Sequence, residues 1–195
     1  MNTTVDVNAL VQRIERLERE LARHRDLIEI QDVLTRYSRA LDWLDADMLS
    51  TVFFDDAEID YGFFKGSGRD FQPLLMQIEH SVGRRWHFTG QVKIDLQGDV
   101  AEVEGYNITF SAEPAASVPP ANLSHFYGYY LDRFARRNGR WGIVRRKFML
   151  LSTTSILETQ TDGPLSVINL TGSTSTAHPD YRRLTSAPSL RGIGS

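Results

Sequence analysis

Two tight-turn signals in the second half of the chain constrain its fold most strongly. The first, QGD at positions 97–99, separates the strand-like runs HFTGQVKIDL and VAEVEGYNITFSA. The second, NGR at positions 138–140, separates SHFYGYYLDRFARR from WGIVRRKFMLLST. Because Asn-Gly tolerates the positive φ angles of a tight turn, the sequence predicts two long antiparallel hairpins, joined by the proline-rich loop EPAASVPPAN.

The N-terminal segment is typical of an amphipathic helix from Val7 to about Arg25. Its apolar residues recur at spacings of four, three and four positions, at Leu10, Ile14, Leu17 and Leu21. This stripe fits either a short coiled-coil seam with another subunit or a helix that lies on its own domain. Because the stripe spans fewer than three heptads, we expect the second arrangement.

Helical and strand-like patterns follow before the hairpins. The run DLIEIQDVLTRYSRALDWLD predicts a second helix, and DADMLSTVFF predicts a third that Asp45 or Asp47 caps. Alternation from Ile59 to Phe63 predicts a strand that ends in the glycine-rich turn GFFKGSG. The run FQPLLMQIEHSVG predicts a further helix, with Pro73 in its first turn.

This order of elements predicts an α+β fold in which a curved sheet folds over the helices. Such a cone-shaped half-barrel leaves a cavity between sheet and helices, where small molecules bind. We divide the chain into an N-terminal helical extension at 1–26, a domain at 27–155 and a tail at 156–195. The tail, rich in Thr, Ser, Gly and Pro, is expected to wrap the domain or a neighbouring subunit.

Composition narrows the function classes. A net charge of −3 and a pI near 6.0 give no electrostatic reason to expect nucleic acid or a membrane surface as a partner. The absence of cysteine excludes disulfides, thiolate nucleophiles and Cys-ligated metals. No HExxH, GxGxxG or P-loop motif is present, so no metal and no nucleotide cofactor is predicted. No signal peptide or apolar membrane span is recognised, so a cytoplasmic protein is expected.

One histidine, His87 in the run RRWHFTG, is the candidate for proton transfer. A lone histidine on an apolar strand is more often a packed residue, so its role depends on a partner. Asp42 can supply one, because a carboxylate on one ring nitrogen fixes the tautomer and leaves the other nitrogen as a base. In a dry pocket we expect this pairing to bring the histidine pKa near neutral.

The run IQDVLTRYSRALDWLDADMLSTVFFDDAEIDYG resembles the opening of the SnoaL-like branch of the NTF2-like superfamily, and the resemblance extends roughly from Leu27 to Leu151. Within this branch the sequence looks similar to scytalone dehydratase, bile-acid dehydratase and hexachlorocyclohexane dehydrochlorinase, which are cofactor-free lyases with a histidine and an aspartate partner. The resemblance assigns the aspartate to Asp42 and the histidine to His87. It also implies catalytic tyrosines at Tyr61, which follows ID, and at Tyr37, five residues before Asp42.

The chain departs from the scytalone enzyme at two places. The run EGYNITFSAE lacks that enzyme's second catalytic histidine, although Asn107 can hydrogen-bond there. Gly128 and Tyr130 occupy the positions of a serine and an asparagine. We therefore expect a substrate other than scytalone.

These residues predict a cofactor-independent lyase that eliminates water, halide or a small carbon fragment from a hydrophobic aromatic or polycyclic molecule. His87 takes the proton, Asp42 supports it, and Tyr37 and Tyr61 donate hydrogen bonds to the oxygen on which charge builds. Tyr37 and Asp42 point roughly 140° apart on a regular helix, so they reach one substrate only if the pocket wraps round the helix end. The expected substrate-binding residues are Asn107, Tyr130, Trp86, Phe53, Phe63 and Phe88.

Other interpretations remain open at this stage. In ketosteroid isomerases, which are also NTF2-like, a strand aspartate shuttles the proton, and here Asp60 would be that base with Tyr37 as oxyanion donor. Strand alternation prevents Asp60 and Tyr61 from both facing the cavity. A non-catalytic small-molecule-binding module is a third interpretation. The related lyases imply a homo-oligomer, a trimer before a dimer, and the basic runs RRNGR and VRRKF are expected to be solvated hairpin surface.

Overall fold

The computed structural model describes residues 6–113, 120–158, 163 and 172–184. Helices occupy the first part and four long strands the second, as the hairpin and helix patterns predict. In chain order the elements are α1 (Val7–Asp42), α2 (Ala46–Leu49), β1 (Phe53–Asp60), β2 (Lys65–Ser67), α3 (Gly68–Ser81), β3 (Arg85–Gln97), β4 (Val100–Ala112), β5 (Ala121–Arg137) and β6 (Arg140–Glu158).

The six strands form one curved, unclosed sheet in the order β2-β1-β6-β5-β4-β3. Both predicted hairpins are confirmed, since β3 pairs antiparallel with β4 and β5 with β6. Asn138 and Gly139 both have positive φ, 52° and 74°, as the tight turn between β5 and β6 requires. Strand β1 runs parallel to β6, so the sheet is mixed. Helices packed on one face of this sheet give the expected α+β half-barrel.

Helix α1 differs from the prediction in its continuity. The two expected helices are one helix of 36 residues, about 54 Å long, capped at its start by the Asp6 side chain. The expectation that its first half lies on its own domain is wrong, because α1 is exposed from Val7 to His24 and becomes buried only from Asp26 onward. Without Gly or Pro between the two periodic stretches, nothing in the sequence interrupts the helix.

Two local predictions are also corrected. The third helix is only the short α2, which Asp45 caps by accepting from the Met48 backbone N–H at 2.9 Å. The chain then enters β1 at Phe53, because this buried ring packs into the core while its backbone pairs with Ile143. Pro73 lies inside α3, not in its first turn, since α3 begins at Gly68.

A fully buried ion pair crosses from β5 to β6 beneath the helices. Asp132 accepts two hydrogen bonds from Arg146, from Nε to Oδ1 at 2.8 Å and from Nη2 to Oδ2 at 2.6 Å. The guanidinium also lies 4.3 Å and 4.1 Å from the ring centres of Tyr37 and Tyr130. The prediction that VRRKF is solvated surface is therefore wrong for Arg146 and holds for the exposed Arg145, because neighbouring strand residues face opposite sides.

Part of the predicted C-terminal tail packs on the domain. Within residues 172–184, Tyr181 contacts the Trp43 ring and donates a hydrogen bond to the Asp45 carboxylate. The rest of the predicted tail beyond Glu158, apart from residue 163, lies outside the described residues. Among the described residues, no helix is long and apolar enough to cross a membrane.

Replacing Arg146 by Met leaves the Asp132 carboxylate buried without its counter-charge, so we expect a loss of about 3–5 kcal/mol in the free energy of unfolding. The neighbouring Arg145→Met change removes only an exposed contact to Glu102 and is expected to cost less than about 1 kcal/mol. Urea unfolding followed by circular dichroism measures both. Equal losses in the free energy of unfolding of the two variants would show that the buried Arg146–Asp132 pair contributes no more to stability than the exposed Arg145–Glu102 contact.

Candidate functional site

The alternation of strand β3 turns His87 toward the interior of the half-barrel. Arg85 and His87 are buried, whereas Trp86 and Phe88 between and beyond them are 45% and 47% exposed on the other face. Bulky apolar neighbours therefore do not surround the imidazole along its own strand. The groups that surround it come from the helices.

Asp42 reaches His87 from the last residue of α1. The Asp42 Oδ1 atom lies 2.8 Å from Nδ1 of His87, within hydrogen-bond distance. The helix ends at this point because Trp43 leaves the helical conformation. From the C-terminal segment, the Thr174 hydroxyl donates to the Asp42 backbone carbonyl, and the Arg85 guanidinium donates to the Thr174 carbonyl at 3.0 Å. The end of α1 is thus held in place beside β3.

A second carboxylate, that of Glu79, faces the other ring nitrogen. Its Oε1 atom lies 3.5 Å from Nε2 of His87, and its Oε2 atom lies 3.6 Å from Nε of Arg85. The sequence analysis missed this residue. A signal was present, because Glu79 continues the four-residue spacing of Phe71 and Leu75 along the buried stripe of α3. An acid on such a stripe needs a partner in the interior.

These carboxylates govern the protonation of His87. Burial alone lowers the histidine pKa, but the hydrogen bonds and charges of Asp42 and Glu79 outweigh it and raise the pKa to about 9. The expectation of a near-neutral pKa is therefore corrected, because it counted one carboxylate and the structure supplies two. Burial raises the pKa of Asp42, while the hydrogen bond to His87 acts in the opposite direction.

The raised pKa of His87 makes the stability of the folded protein depend on pH. The folded value of about 9 exceeds the usual histidine pKa of about 6.5, so the proton on His87 stabilises the folded state. That contribution is complete below about pH 6.5 and is lost as the pH rises through about 9.

Asp42 and His87 border a cleft between α1 and β3 with a volume of about 660 Å³. At one end of it, a bulge in β3 gives Gln91 a positive φ of 49°. The C-terminal segment adds Leu184 to the wall. Apart from the dyad, the lining is mixed apolar and polar and includes Gln31, Leu34, Ser38, Trp43, Thr89 and Val92.

Tyr37 and Tyr61 lie in a separate tyrosine cluster deeper in the core. Their hydroxyl oxygens are 2.8 Å apart, and the ring of Tyr130 packs against both. Arg146, which the sequence analysis missed, lies over the rings of Tyr37 and Tyr130. Burial raises the pKa of all three tyrosine hydroxyls, so they stay protonated and can donate hydrogen bonds. From α1, Asp42 thus reaches the cleft and Tyr37 the cluster, in keeping with their angular separation on the helix.

The other expected substrate-binding residues have different surroundings. Asn107 is buried on β4, where it pairs with Thr89 of β3 and hydrogen-bonds the Thr109 hydroxyl. Phe53 is part of the core. Phe63 is 67% exposed, and with Trp86 it lies away from the cleft that His87 borders.

Asp60, the base of the isomerase interpretation, is placed outside the tyrosine cluster. Its carboxylate accepts from the Gly62 backbone N–H at 3.0 Å and pairs with Lys65 at 3.1 Å. These contacts lower the pKa of Asp60, whereas a base for carbon acids needs a raised one. Tyr61, the next residue, faces the core instead. Among the described residues, no group of three or more His, Asp or Glu side chains is arranged to hold a metal ion.

We expect the imidazole of His87 to titrate near pH 9 in the folded protein, because two carboxylates hold its proton. In Glu79→Gln one of them is neutral, so the pKa should fall by about one unit or more. NMR titration of the ring carbon protons measures the His87 pKa in both proteins. A His87 midpoint near 6.5 in the unmodified protein would contradict the assignment.

Comparisons with known proteins agree with this architecture. Residues 22–147 match the sequence model of the SnoaL-like domain. An uncharacterized protein of Mycobacterium tuberculosis strain H37Rv is 30% identical over 138 residues, which cover 68% of this chain and 90% of that protein.

Two solved structures with similar folds carry the names of lyases. A proposed scytalone dehydratase from Novosphingobium aromaticivorans has a TM-score of 0.60 at 20% identity, covering 80% of this chain and 95% of that one. A type 3 hexachlorocyclohexane dehydrochlorinase from Novosphingobium barchaimii has a TM-score of 0.62 at 16% identity, covering 74% of this chain and 99% of that one. At such identities the likeness shows the fold alone. With the match over 22–147, it establishes that the chain belongs to the SnoaL-like domain family and has the NTF2-like fold.

Proposed function

We propose that the protein is a cofactor-independent lyase that removes water, halide or a small carbon fragment from a hydrophobic, aromatic or polycyclic small molecule. The observation that carries the proposal is the 2.8 Å contact between His87 and Asp42 at the wall of a cleft of about 660 Å³. This volume suits a drug-sized ligand. Two proteins with this fold, one named as a dehydratase and one as a dehydrochlorinase, support the same reaction class.

In the proposed mechanism Asp42 fixes the tautomer of His87. The Nδ1–H group donates to Asp42, so Nε2 is the atom left to take a proton from the substrate carbon, which must approach beside the Glu79 carboxylate that lies 3.5 Å from Nε2. The electron pair of the broken C–H bond becomes the second bond of a new double bond. The leaving group departs with the electrons of its own bond to carbon. Asp42 and Glu79 then stabilise the imidazolium cation that this step produces.

Glu79 helps to raise the pKa of His87, and it thereby lowers the fraction of His87 that is neutral and able to accept a proton. With a pKa of about 9, only about one His87 in a hundred is neutral at pH 7. The same carboxylates that stabilise the product imidazolium therefore hold the resting residue in its protonated form. We infer that the reaction accelerates with pH until His87 is fully deprotonated.

The tyrosine cluster supplies the remaining donors in this proposal. None of Tyr37, Tyr61 and Tyr130 lines the cleft that His87 borders, so a substrate oxygen would have to enter the buried cluster, where it would replace the hydrogen bond between Tyr37 and Tyr61 and accept from their hydroxyls. Tyr130 and Phe53 pack against Tyr37 and would contact an apolar ring system there. Asn107, on the same concave face of the sheet as His87, adds a polar contact. The resemblance implies a homo-oligomer, a trimer before a dimer, whereas the exposed apolar stripe of α1 favours an assembly built from pairs of chains.

His87→Ala is expected to keep the fold and to lower kcat/KM by at least about a hundredfold, since general-base catalysis contributes on this scale. His80→Ala, on the exposed side of α3, is the matched control and should retain activity.

Substrates are first found by incubating the protein with hexachlorocyclohexanes and hydroxylated bicyclic ketones, following halide release or the absorbance of a new conjugated double bond. Wild-type turnover by His87→Ala would end the proposal. If Asp60→Asn were the crippling change instead, the isomerase mechanism would apply.

The pH profile provides an independent check on the base. We expect kcat/KM to rise with pH to a midpoint near 9, because only neutral His87 accepts the proton. In Glu79→Gln the midpoint should move to lower pH, so that activity at pH 7 rises by up to about tenfold for a one-unit shift. An unchanged midpoint with uniformly lower activity would show that His87 is not the titrating base.

A further inference from the structure

The segment of α1 from Val7 to Ile28 carries an apolar stripe that faces solvent. Six side chains belong to it, each between 49% and 66% exposed: Val7, Leu10, Ile14, Leu17, Leu21 and Ile28. Their spacings of three, four, three, four and seven residues place all six on one seam of a heptad repeat. A large exposed apolar stripe of this kind more often marks a surface that binds a partner than a surface that stays in contact with solvent.

Among the residues that the structure describes, none obstructs this stripe. At the level where α1 meets the rest of the molecule, the helix buries Asp26 and Ile30. Ile28 lies two positions from each, which places it about 200° around the helix axis from both, on the opposite side. A second helix can therefore lie along the stripe without displacing the core.

We propose that two copies of this chain associate through this stripe, as a parallel, in-register, two-stranded coiled coil. Heptad position a holds Val7, Ile14, Leu21 and Ile28, and position d holds Leu10 and Leu17. Mostly β-branched residues at a with leucine at d favour two parallel strands. The next d position is His24, and a polar residue at one core position fixes register at some cost in stability.

The charges that flank the stripe support this orientation. In a parallel pair, each g residue lies beside the e residue five positions later on the partner helix. Here Arg13 meets Glu18, and Glu20 meets Arg25, so both pairs are of opposite sign and each occurs twice by symmetry. An antiparallel pair would instead set e residues against e residues, and Glu18 and Arg25 would lose these partners.

The domain also offsets the usual weakness of so short a coiled coil. The seam from Val7 to Ile28 is about 33 Å long, and a helix exposed over this length gains little from packing and must still overcome a costly nucleation step. Helix α1, however, continues without a break into the buried segment that ends at Asp42. Its nucleation is therefore complete before the partner helix binds.

Engineered cysteines test register and orientation directly, because the chain has none of its own. In a parallel, in-register pair the two Leu17 positions face each other, so Leu17→Cys should form a disulfide-linked dimer on mild oxidation. Arg19→Cys, at the outward f position, is the matched control and should stay unlinked. Equal cross-linking of the two variants, or none in Leu17→Cys, would overturn the proposal.

Light scattering on the full chain tests the association itself. The parent protein should contain an even number of copies, and Ile14→Asp with Leu17→Asp should halve the particle mass while circular dichroism shows the domain folded. Glu18→Arg should weaken association by at least about tenfold, because it places like charges beside Arg13, and adding Arg13→Glu should restore it. A mass unchanged by the aspartate pair, or a monomeric or trimeric parent, would refute the two-stranded seam.

Discussion

A single imidazole between two carboxylates joins three parts of this fold. His87 on β3 contacts Asp42, the last residue of α1, at 2.8 Å, and Glu79 in the last turn of α3 faces its other nitrogen at 3.5 Å. The buried Glu79, the partly buried Asp42 and the buried His87 are tolerable only together, because an unpaired charge in the interior is costly. The contact that fixes the helix ends against the sheet is therefore the same contact that sets the protonation of the site.

The interior has two polar regions with different characters. Beside the cleft, His87 can gain and lose a proton in the range that enzymes use. In the core, Arg146 and Asp132 form a permanent bidentate pair, and the tyrosine hydroxyls above it stay protonated. In the proposed reaction the first region transfers the proton and the second offers fixed donors. A mobile proton and a rigid hydrogen-bonding wall are the two requirements of an elimination without a cofactor.

Helix α1 connects the site to the proposed association. Its last residue is Asp42, its middle packs on the sheet, and its first half projects with an apolar stripe that the domain leaves exposed. The stripe reaches toward Gln31, which borders the cleft. If two copies pair along the stripe, their clefts lie at the same end of the coiled coil. Trp86 on β3 lies away from the cleft, whereas Phe88, two residues later, also borders it.

Local sequence determined the elements whose signals are themselves local. The Asn-Gly turn set the hairpin between β5 and β6, strand alternation directed His87 inward and Trp86 outward, and the resemblance identified Asp42 as the candidate partner. Only the tertiary structure decided that α1 is continuous and exposed, that Arg146 is buried while Arg145 is not, and that Glu79 is a second acid at His87. Distances between residues far apart in the chain, and the exclusion of water from them, are products of packing. For that reason the histidine pKa of about 9 follows from the folded molecule and not from the motif around His87.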